Sequence, residues 1–357
     1  MSLLNETLAK IQPLNEEMMK TAKERVDFLL KPVGSLGTLE EIAVQLAGIT
    51  GEMYPDVSKM YPDVSKKAML VFAADHGVFE EGVAAAPQEV TELMAQMIVA
   101  GKSGVAALSK QAGADIFVCD VGMKAELEPK SKILDKKIRK STSNMRKGSA
   151  MTRAEAVQSL EAGIDVAQRA INNGYNILGT GEVGISNTTA SAAIIAALSG
   201  IDPGELTGAG ANLSEDKQVV KAQVIRDAIA LNQPDKADAV DVLAKVGGFE
   251  IGAMAGAMLA GASNHIPVLI DGFISTAAAA IAIAIKPEAK GYLICSHASA
   301  EKGAAFASEF IGAKPFLNMG MRLGEGSGAA IAFNIVEAAL YMNREMATYG
   351  DVGLGVV

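Results

Sequence analysis

Short apolar runs that end in polar residues recur along this chain and alternate with Ala-rich helical segments. The first run, AMLVFAA at residues 68–74, is followed at once by Asp75, His76 and Gly77. Four more runs lead into acids, glycines, serine or histidine: residues 114–120, 176–178, 266–270 and 291–295. Such runs, with helices between them, are typical of parallel strands buried on both faces. The pattern predicts an α/β fold with a mostly parallel sheet, in which ligands collect at the carboxyl ends of the strands.

Composition and charge limit the partners of such a fold. Of the 357 residues, 50% are hydrophobic and 20% charged, which is enough to bury a large core. The net charge of −9 argues against nucleic acid or an anionic membrane as a partner. The basic segment at residues 130–147 is predicted to be an exposed, solvated arm. The chain opens without an apolar signal segment, and its longest uncharged apolar run is too short to span a membrane. We therefore expect a soluble, cytoplasmic protein.

The cysteines and histidines show no metal-binding pattern. Cys119 and Cys295 lie inside apolar runs, so we expect buried free thiols in a reducing compartment. His76, His265 and His297 stand singly, without the spacing of metal ligands. The sequence therefore predicts no metal and no cofactor. His76, which follows an acid, is interpreted as a hydrogen-bonded loop residue rather than a catalyst.

Helical segments near both chain ends predict a second, smaller unit. Apolar residues at helical spacing give residues 15–30 one apolar face, and residues 329–346 form a final helix. Each helix needs a surface to pack on, and each is a natural partner for the other. We predict a small helical domain formed by residues 1–32 together with 329–357, and a large α/β domain at residues 33–328.

Local signals predict two helix starts and one loop. Thr38 with Glu41, and Thr152 with Glu155, have the spacing of a capping box. The heptapeptide MYPDVSK occurs twice in succession at residues 53–66, where its prolines exclude a helix interior. Seven residues is too short a period for a repeat architecture, so the duplication predicts a lengthened surface loop.

The segment GTGEVG at residues 179–184 follows a short predicted strand and precedes SNTT and an Ala-rich helix. Backbone N–H groups at a helix N-terminus, together with Ser and Thr hydroxyls, can hold a phosphate. The glycines have the G-x-G-x-x-G spacing of dinucleotide-binding folds, but GIDPG follows the helix instead of a second strand ending in an acid. We prefer a single phosphate to NAD, and a nicotinamide-dependent oxidoreductase stays open as an alternative.

One acid, Glu325, stands among four glycines in LNMGMRLGEGSGAAIAFN, residues 317–334. The glycines let a ligand approach the backbone closely, and the apolar residues that follow begin a helix. A glutamate at a helix start is also favoured by the helix dipole, with no ligand involved. Glu325 is therefore a candidate functional residue whose role depends on other segments.

Eight segments within residues 31–339 are, in chain order, KPVGSLGTLE, ADHGV, GEVGISNTT, GANL, VGGFEIGAMAG, PVLIDGFIS, SHASAEKGA and MRLGEGSGAA. Together they resemble the nicotinate-nucleotide:dimethylbenzimidazole phosphoribosyltransferase family of cobalamin nucleotide-loop assembly. Each is weak alone, and eight in collinear order are specific. The resemblance implies a Rossmann-like α/β domain with a small helical domain from both chain ends, arranged as a homodimer.

The resemblance also implies a reaction. A nitrogen of 5,6-dimethylbenzimidazole or a related lower-ligand base attacks C1′ of nicotinate mononucleotide, nicotinate leaves, and the configuration inverts to give α-ribazole 5′-phosphate. Because the pyridinium departs as a neutral ring, no pyrophosphate charge develops and the transfer needs no Mg²⁺. A non-catalytic nucleotide-binding protein and the oxidoreductase are the alternatives.

Individual residues match family positions. Glu325 matches the catalytic glutamate, a general base on the ring N–H, and Glu182 matches a second acid that stabilises the cationic sugar. The resemblance places three residues around the 5′-phosphate: Gly184, Lys221 and Ser299.

Three further positions concern the nucleotide pocket and the base. Asp271 matches a position that lines the nucleotide pocket. Ala86 and Met94 stand beside the incoming base, where some family members carry a serine and a glutamine. These two departures leave the identity of the base open and the reaction unchanged.

Overall fold

Six strands form one sheet in the described residues of the computed structural model, which are 2–52, 66–208, 210 and 213–354. They are β1 (Lys67–Ala74), β2 (Ala114–Gly122), β3 (Leu134–Asp135), β4 (Ile177–Val183), β5 (Val268–Ile270) and β6 (Leu293–Cys295). All neighbouring strands run parallel, in the order β3-β2-β1-β4-β5-β6. This is the strand order of dinucleotide-binding α/β folds, in which ligands bind where the order reverses. The predicted fold class is confirmed.

Helices cover both faces of the sheet. In the described residues they are α1 (Leu3–Lys10), α2 (Glu16–Phe28), α3 (Thr38–Thr50), α4 (Val90–Val99), α5 (Gly104–Ala112), α6 (Arg153–Asn172), α7 (Asn187–Ser199), α8 (Pro203–Leu206), α9 (Glu215–Asn232), α10 (Ala239–Val246), α11 (Phe249–Ser263), α12 (Phe273–Ile285), α13 (Ala304–Ile311) and α14 (Ser327–Glu345). Helix α11 packs on β1 and β4 from one side. Helices α4 and α14 pack on the sheet from the other side.

Strand β1 shows why the strands of this sheet appear in the sequence as continuous apolar runs. Leu70 and Phe72 belong to the core on the α11 side, and Met69 and Val71 belong to the core on the α14 side. All four side chains are fully buried. Because both faces are covered, the strand is continuously apolar instead of alternating with polar residues. Burial of each such side chain contributes about 1.5–3 kcal/mol.

The two chain ends lie against each other. Leu29, just after α2, forms an isolated antiparallel bridge with Thr348. The Arg25 guanidinium donates to the Asn343 carbonyl oxygen at 2.8 Å. Helix α14 also packs on β4 and β5, so it belongs to a layer of the sheet as well. The division into residues 1–32 with 329–357, and 33–328, stays a prediction.

One predicted capping box is confirmed and the other is wrong. The Thr152 hydroxyl accepts from the Glu155 N–H at 3.2 Å, and the Glu155 carboxylate accepts from the Thr152 N–H at 2.8 Å. In contrast, α3 already begins at Thr38, after Gly37 with φ 53°, and its N-cap makes no side-chain hydrogen bond. Because Gly37 occupies the N-cap position, Thr38 lies inside the helix and forms no capping box with Glu41.

The prediction of an exposed arm at residues 130–147 is wrong. Strand β3, within this segment, pairs with β2 at the edge of the sheet. Ile133 and Met145 are buried, and Arg139 pairs with Glu155 at 2.6 Å. Acids from other parts of the fold pair with Lys136, Lys137, Arg139 and Arg146. The local charge run does not reveal such long-range pairing.

Several sequence features fall at the limits of the described residues. The duplicated heptapeptide, apart from Lys66, lies outside them, as do Ala211 and Asn212 of the GANL segment.

Cys119 and Cys295 are buried free thiols, as predicted. Among the helices described, none combines the length and the apolar character needed to cross a bilayer.

Candidate active site

A cavity of about 580 Å³ opens at the carboxyl ends of β4, β5 and β6. Loops and helices that follow these strands supply much of its wall, as the parallel sheet predicts. All eight side chains or backbone positions singled out by the sequence line it: Ala86, Met94, Glu182, Gly184, Lys221, Asp271, Ser299 and Glu325. The structure thus brings together residues from distant segments, and their separate roles stay predictions.

Glu325 lies two residues before α14 in an unusual turn. Gly324, Glu325 and Gly326 all have left-handed φ angles, of 82°, 61° and 96°. The Val105 N–H, in the first turn of α5, donates to the Glu325 Oε2 at 3.1 Å. The carboxylate is therefore stabilised by the N-terminus of α5, and not by that of the helix it precedes. The side chain is 7% exposed and reaches the cavity.

Glu182, near the end of β4, adjoins the same turn. The Asn187 side-chain amide and the Glu325 N–H both donate to its carboxylate. Burial raises the pKa of Glu182 well above its usual range, and the charges of Glu250 and Asp271 raise it further, against the two hydrogen bonds. A negative charge on Glu182 is therefore costly unless a cation lies beside it.

Two of the three G-x-G-x-x-G glycines lie within a strand and not in a phosphate-binding loop. Strand β4 continues to Val183, beyond the end predicted at residue 178, so Gly179 and Gly181 lie inside the strand. A Cβ atom on Gly181 would lie 2.1 Å from the Glu325 carbonyl oxygen. The glycines allow close backbone packing under the Glu325 turn, which is one reason for glycine within a strand. The oxidoreductase alternative therefore loses the motif on which it rested.

Three groups suited to an anion converge after β4. Ser186, the N-cap of α7, has φ 83°, and its buried hydroxyl has no hydrogen-bond partner among the described residues. Lys221, which is 2% exposed, donates to the Thr188 hydroxyl at 2.7 Å. Burial lowers the pKa of Lys221 to about 8, although the Glu301 charge opposes this shift. A helix N-terminus, a hydroxyl and an ammonium group in one cavity wall are the chemistry that binds phosphate.

Asp271 follows β5 and turns its carboxylate toward the start of α14. Its Oδ1 accepts from the Gly328 and Ala329 N–H groups at 2.7 and 3.2 Å, and its Oδ2 accepts from the Gly326 N–H at 3.2 Å. Burial raises the pKa of Asp271, while His297 and the three N–H groups oppose the shift. Asp271 lines the cavity, but both of its oxygens are bound to protein backbone.

One part of the cavity wall is apolar. It comes from the segment after β1 and from α4: Val83, Ala84, Ala85, Ala86, Val90 and Met94. None of these six side chains carries a hydrogen-bonding N–H or O–H group. Met94 is half-buried and faces the cavity, so it does not pack away from it within its helix.

His76 and Glu250 form a buried pair outside the cavity lining. The His76 Nε2 lies 2.7 Å from the Glu250 Oε1, and both side chains are almost fully buried. Desolvation alone would lower the pKa of His76, but the Glu250 charge and hydrogen bond, helped by Asp75, raise it. His76 is hydrogen-bonded as predicted, with Glu250 as its partner.

The sequence interpretation missed two groups that hold the two acids and one whose charge acts on Glu182. Asn187 binds Glu182, Val105 binds Glu325 through its backbone, and the Glu250 charge acts on Glu182. Asn187 stood within the SNTT segment, where only the hydroxyls were considered. A backbone N–H such as that of Val105 leaves no signal in the side-chain sequence.

The chain is that of a phosphoribosyltransferase: the phosphoribosyltransferase family model matches residues 11–354. The chain is 52% identical to the nicotinate-nucleotide–dimethylbenzimidazole phosphoribosyltransferase of Alkaliphilus metalliredigens, over 100% of both chains. It is 49% identical to the enzyme of the same name from Clostridioides difficile, over 99% of this chain and 100% of that one. The crystal structure of CobT from Thermus thermophilus has a TM-score of 0.89 and 37% identity, covering 95% of this chain and 99% of the other. The chain belongs to the nicotinate-nucleotide–dimethylbenzimidazole phosphoribosyltransferase family.

Proposed function

We propose that this enzyme transfers the 5-phosphoribosyl group of nicotinate mononucleotide to 5,6-dimethylbenzimidazole or a related base. The observation that supports this most is the cavity itself, which joins an anion-binding wall, two buried acids and an apolar wall. A phosphorylated sugar, a reaction centre and a flat apolar ring require these three environments. The names of the relatives point to the same two substrates.

The anion-binding wall takes the 5′-phosphate. Lys221 supplies a charge-assisted hydrogen bond, and the N-terminus of α7 supplies the positive end of the helix dipole and the Ser186 hydroxyl. Gly184 leaves no room for a side chain, since its Cβ would lie 2.6 Å from the Ala74 carbonyl oxygen. Ser299 completes this wall from the segment after β6.

The acids act on the reacting atoms. A ring nitrogen of the base attacks C1′, the C1′–nitrogen bond to nicotinate breaks, and its electron pair returns to the pyridine ring. The Glu325 carboxylate accepts the proton from the N–H of the base, while Glu182 stabilises the positive charge that develops on the sugar. Attack from the face opposite nicotinate inverts the configuration and gives α-ribazole 5′-phosphate in cobalamin nucleotide-loop assembly.

The apolar wall takes the base. Ala86 and Met94 offer contact surface and no fixed hydrogen bond, and a thioether adapts its shape to its neighbour. The enzyme therefore accepts benzimidazole-type bases by shape.

The enzyme acts as a homodimer. Exposed apolar side chains where the two chain ends meet, Phe28, Leu30 and Val352, support this part of the proposal. Light scattering during size-exclusion chromatography should give twice the 36.9 kDa chain mass. A single chain mass at micromolar concentration would contradict the dimer without touching the reaction.

Incubation of the protein with nicotinate mononucleotide and dimethylbenzimidazole tests the reaction. We expect equal amounts of nicotinate and α-ribazole 5′-phosphate, separated by chromatography and assigned to the α configuration by NMR of the anomeric proton. Glu325→Gln serves as the control protein. Nicotinate release without the base would indicate hydrolysis, and tight NADH binding with no transfer would favour the oxidoreductase.

A further inference from the structure

The Asp271 carboxylate holds the start of α14. It accepts three backbone N–H groups, from Gly326, Gly328 and Ala329, at 3.2, 2.7 and 3.2 Å. The first N–H groups of a helix have no partner within the helix, so a carboxylate there satisfies them and complements the helix dipole. The carboxylate comes from a different element, the end of β5, and therefore ties the helix to the sheet.

The turn that it holds is strained. Glu325 has φ 61° between two glycines that are also left-handed, and this conformation is unfavourable for a residue with a side chain. Such a residue keeps its conformation only where the surroundings determine it. Below the turn, the Gly181 backbone leaves no space, since a Cβ there would lie 2.1 Å from the Glu325 carbonyl oxygen. Asp271 fixes the residues that follow Glu325, beginning with the next N–H.

We propose that Asp271 is a positioning residue that sets the direction of the Glu325 side chain, and not a ligand of the nucleotide. Both Asp271 oxygens are bound to backbone, and the residue is only 3% exposed, so no lone carboxylate oxygen is presented to a substrate. Because it acts through Glu325, this role rests on the base assigned to Glu325 in the proposed transfer.

Amide hydrogen exchange measures how firmly Asp271 holds the start of α14, and it needs no substrate. In Asp271→Asn, one side-chain oxygen remains as an acceptor. The new NH₂ group faces a backbone N–H, and two donors cannot form a hydrogen bond with each other. We expect faster exchange in the peptide covering residues 317–334. Thermal unfolding shows whether the variant folds, and Asp271→Ser, which has a smaller side chain and no amide N–H to leave unpaired, is the second variant if it does not.

Asp120 offers a matched control. It lies in β2, is fully buried, and accepts the Gly122 and Met123 N–H groups at 2.9 and 2.8 Å. It does not line the cavity. Asp120→Asn should speed exchange after β2 and leave kcat within about twofold, because its loop carries no site residue.

Kinetics separate positioning from binding. Asp271→Asn should lower kcat by about 10- to 100-fold, the cost of a catalytic group displaced by about 1 Å, with the smaller change in KM for nicotinate mononucleotide. In the Glu325→Gln background the same substitution should have little further effect on kcat, because the two residues act as one unit.

Two results would overturn the proposal: unchanged exchange at residues 317–334, or a raised KM with an unchanged kcat. If the unmodified protein transfers nothing, the proposed function fails. The exchange experiment still decides whether Asp271 holds the turn.

Discussion

The two walls of the cavity offer a ligand different kinds of interaction. The polar wall comprises the anion-binding wall and the two acids; in it, Lys221, Glu182 and Glu325 are each held by a hydrogen bond to a specific partner. In the wall around Ala86 and Met94, the side chains offer only apolar surface. Directional bonds to charged groups tolerate little change in the ligand, whereas an apolar surface separates similar ligands only weakly. The contrast predicts a fixed phosphoribosyl donor and an adjustable base.

The topology produces this difference. The polar wall consists of residues at or just after the carboxyl ends of β4, β5 and β6, together with the start of α7, Lys221 and the turn before α14. The apolar wall comes from the segment between β1 and α4 and from α4 itself, whose side chains continue the core. Substitutions in the polar wall should therefore have larger effects than substitutions in the apolar wall.

The largest effect is expected from Glu325→Gln. The amide keeps the size of the side chain but cannot accept the base proton, so kcat should fall by about 100-fold or more. The Val105 N–H can still be accepted by the amide oxygen, so the fold should be retained. Steady-state kinetics at saturating base, with thermal unfolding of both proteins, measure this. A nearly unchanged kcat in the variant would contradict a general-base role for Glu325. The polar wall would then serve only to bind the substrate.

The polar wall also shows what can be predicted from sequence. The strands were predicted because burial on both faces makes them continuously apolar, and residues after them because parallel strands end at one edge. Glu325 was already a candidate from its glycine-rich segment, and the family resemblance assigned roles to all eight site residues, which line the cavity. The pattern of apolar runs alone would have predicted only that the site lies at the carboxyl edge of the sheet, and not which residues form it.

What could not be predicted depends on long-range packing. Gly179 and Gly181 were expected to end a strand, because glycine is uncommon inside one, yet the approach of the Glu325 backbone requires it there. The three N–H groups bound by Asp271 belong to residues more than fifty positions away. Neither fact has a local signal, since both arise from where α14 docks on the sheet.

Lys221→Ala tests the anion-binding end of the polar wall. A hydrogen bond to a charged group is worth about 1.5–3 kcal/mol, so KM for nicotinate mononucleotide should rise by about 10- to 100-fold. KM for the base should change less, because the base lies against the other wall. Lys217→Ala removes the same charge from an exposed position on α9 and is the matched control. Equal rises in both KM values would abolish the distinction between the two walls.

The pH dependence of donor binding follows from the same lysine. Burial lowers the pKa of Lys221 to about 8, and a phosphate dianion beside it favours the charged form. Affinity for nicotinate mononucleotide should fall as pH rises above about 8, by at most tenfold per pH unit, with proton uptake on binding. Calorimetry in two buffers of different ionisation enthalpy measures the uptake. Lys221→Arg should show a flat profile, because a guanidinium stays charged.

The contribution of Lys221 to folding stability has the opposite pH dependence: it becomes more favourable as pH rises. Between about pH 8 and the unfolded value of about 10.4, the unfolded chain holds more protons on Lys221 than the folded chain does. This lysine therefore destabilises the fold below pH 8 and ceases to do so as pH rises through that window. Urea unfolding of the unmodified protein and of Lys221→Met should differ most at the low end of the window. A difference that grows with pH would contradict the buried, depressed lysine.

The smallest effect is expected from the apolar wall, in the double variant Ala86→Ser with Met94→Gln. The new hydroxyl and amide introduce polar groups that only some bases can pair, and a polar group left unpaired rejects a ligand more strongly than a loose apolar contact does. In the unmodified enzyme, benzimidazole, its methylated forms and phenolic acceptors should compete within about two orders of magnitude in kcat/KM. The double variant should widen this range.

Direct competition between paired bases measures the change, because both acceptors then meet the same enzyme and the same donor. The donor KM should stay constant in the double variant, since neither position belongs to the anion-binding wall formed by Lys221 and the start of α7. An unchanged order of bases would show that Ala86 and Met94 only border the cavity, and that base choice depends on the polar wall after all. A changed donor KM would show instead that the two walls are coupled, so that the base is selected partly by how it seats the phosphoribosyl group against Glu182.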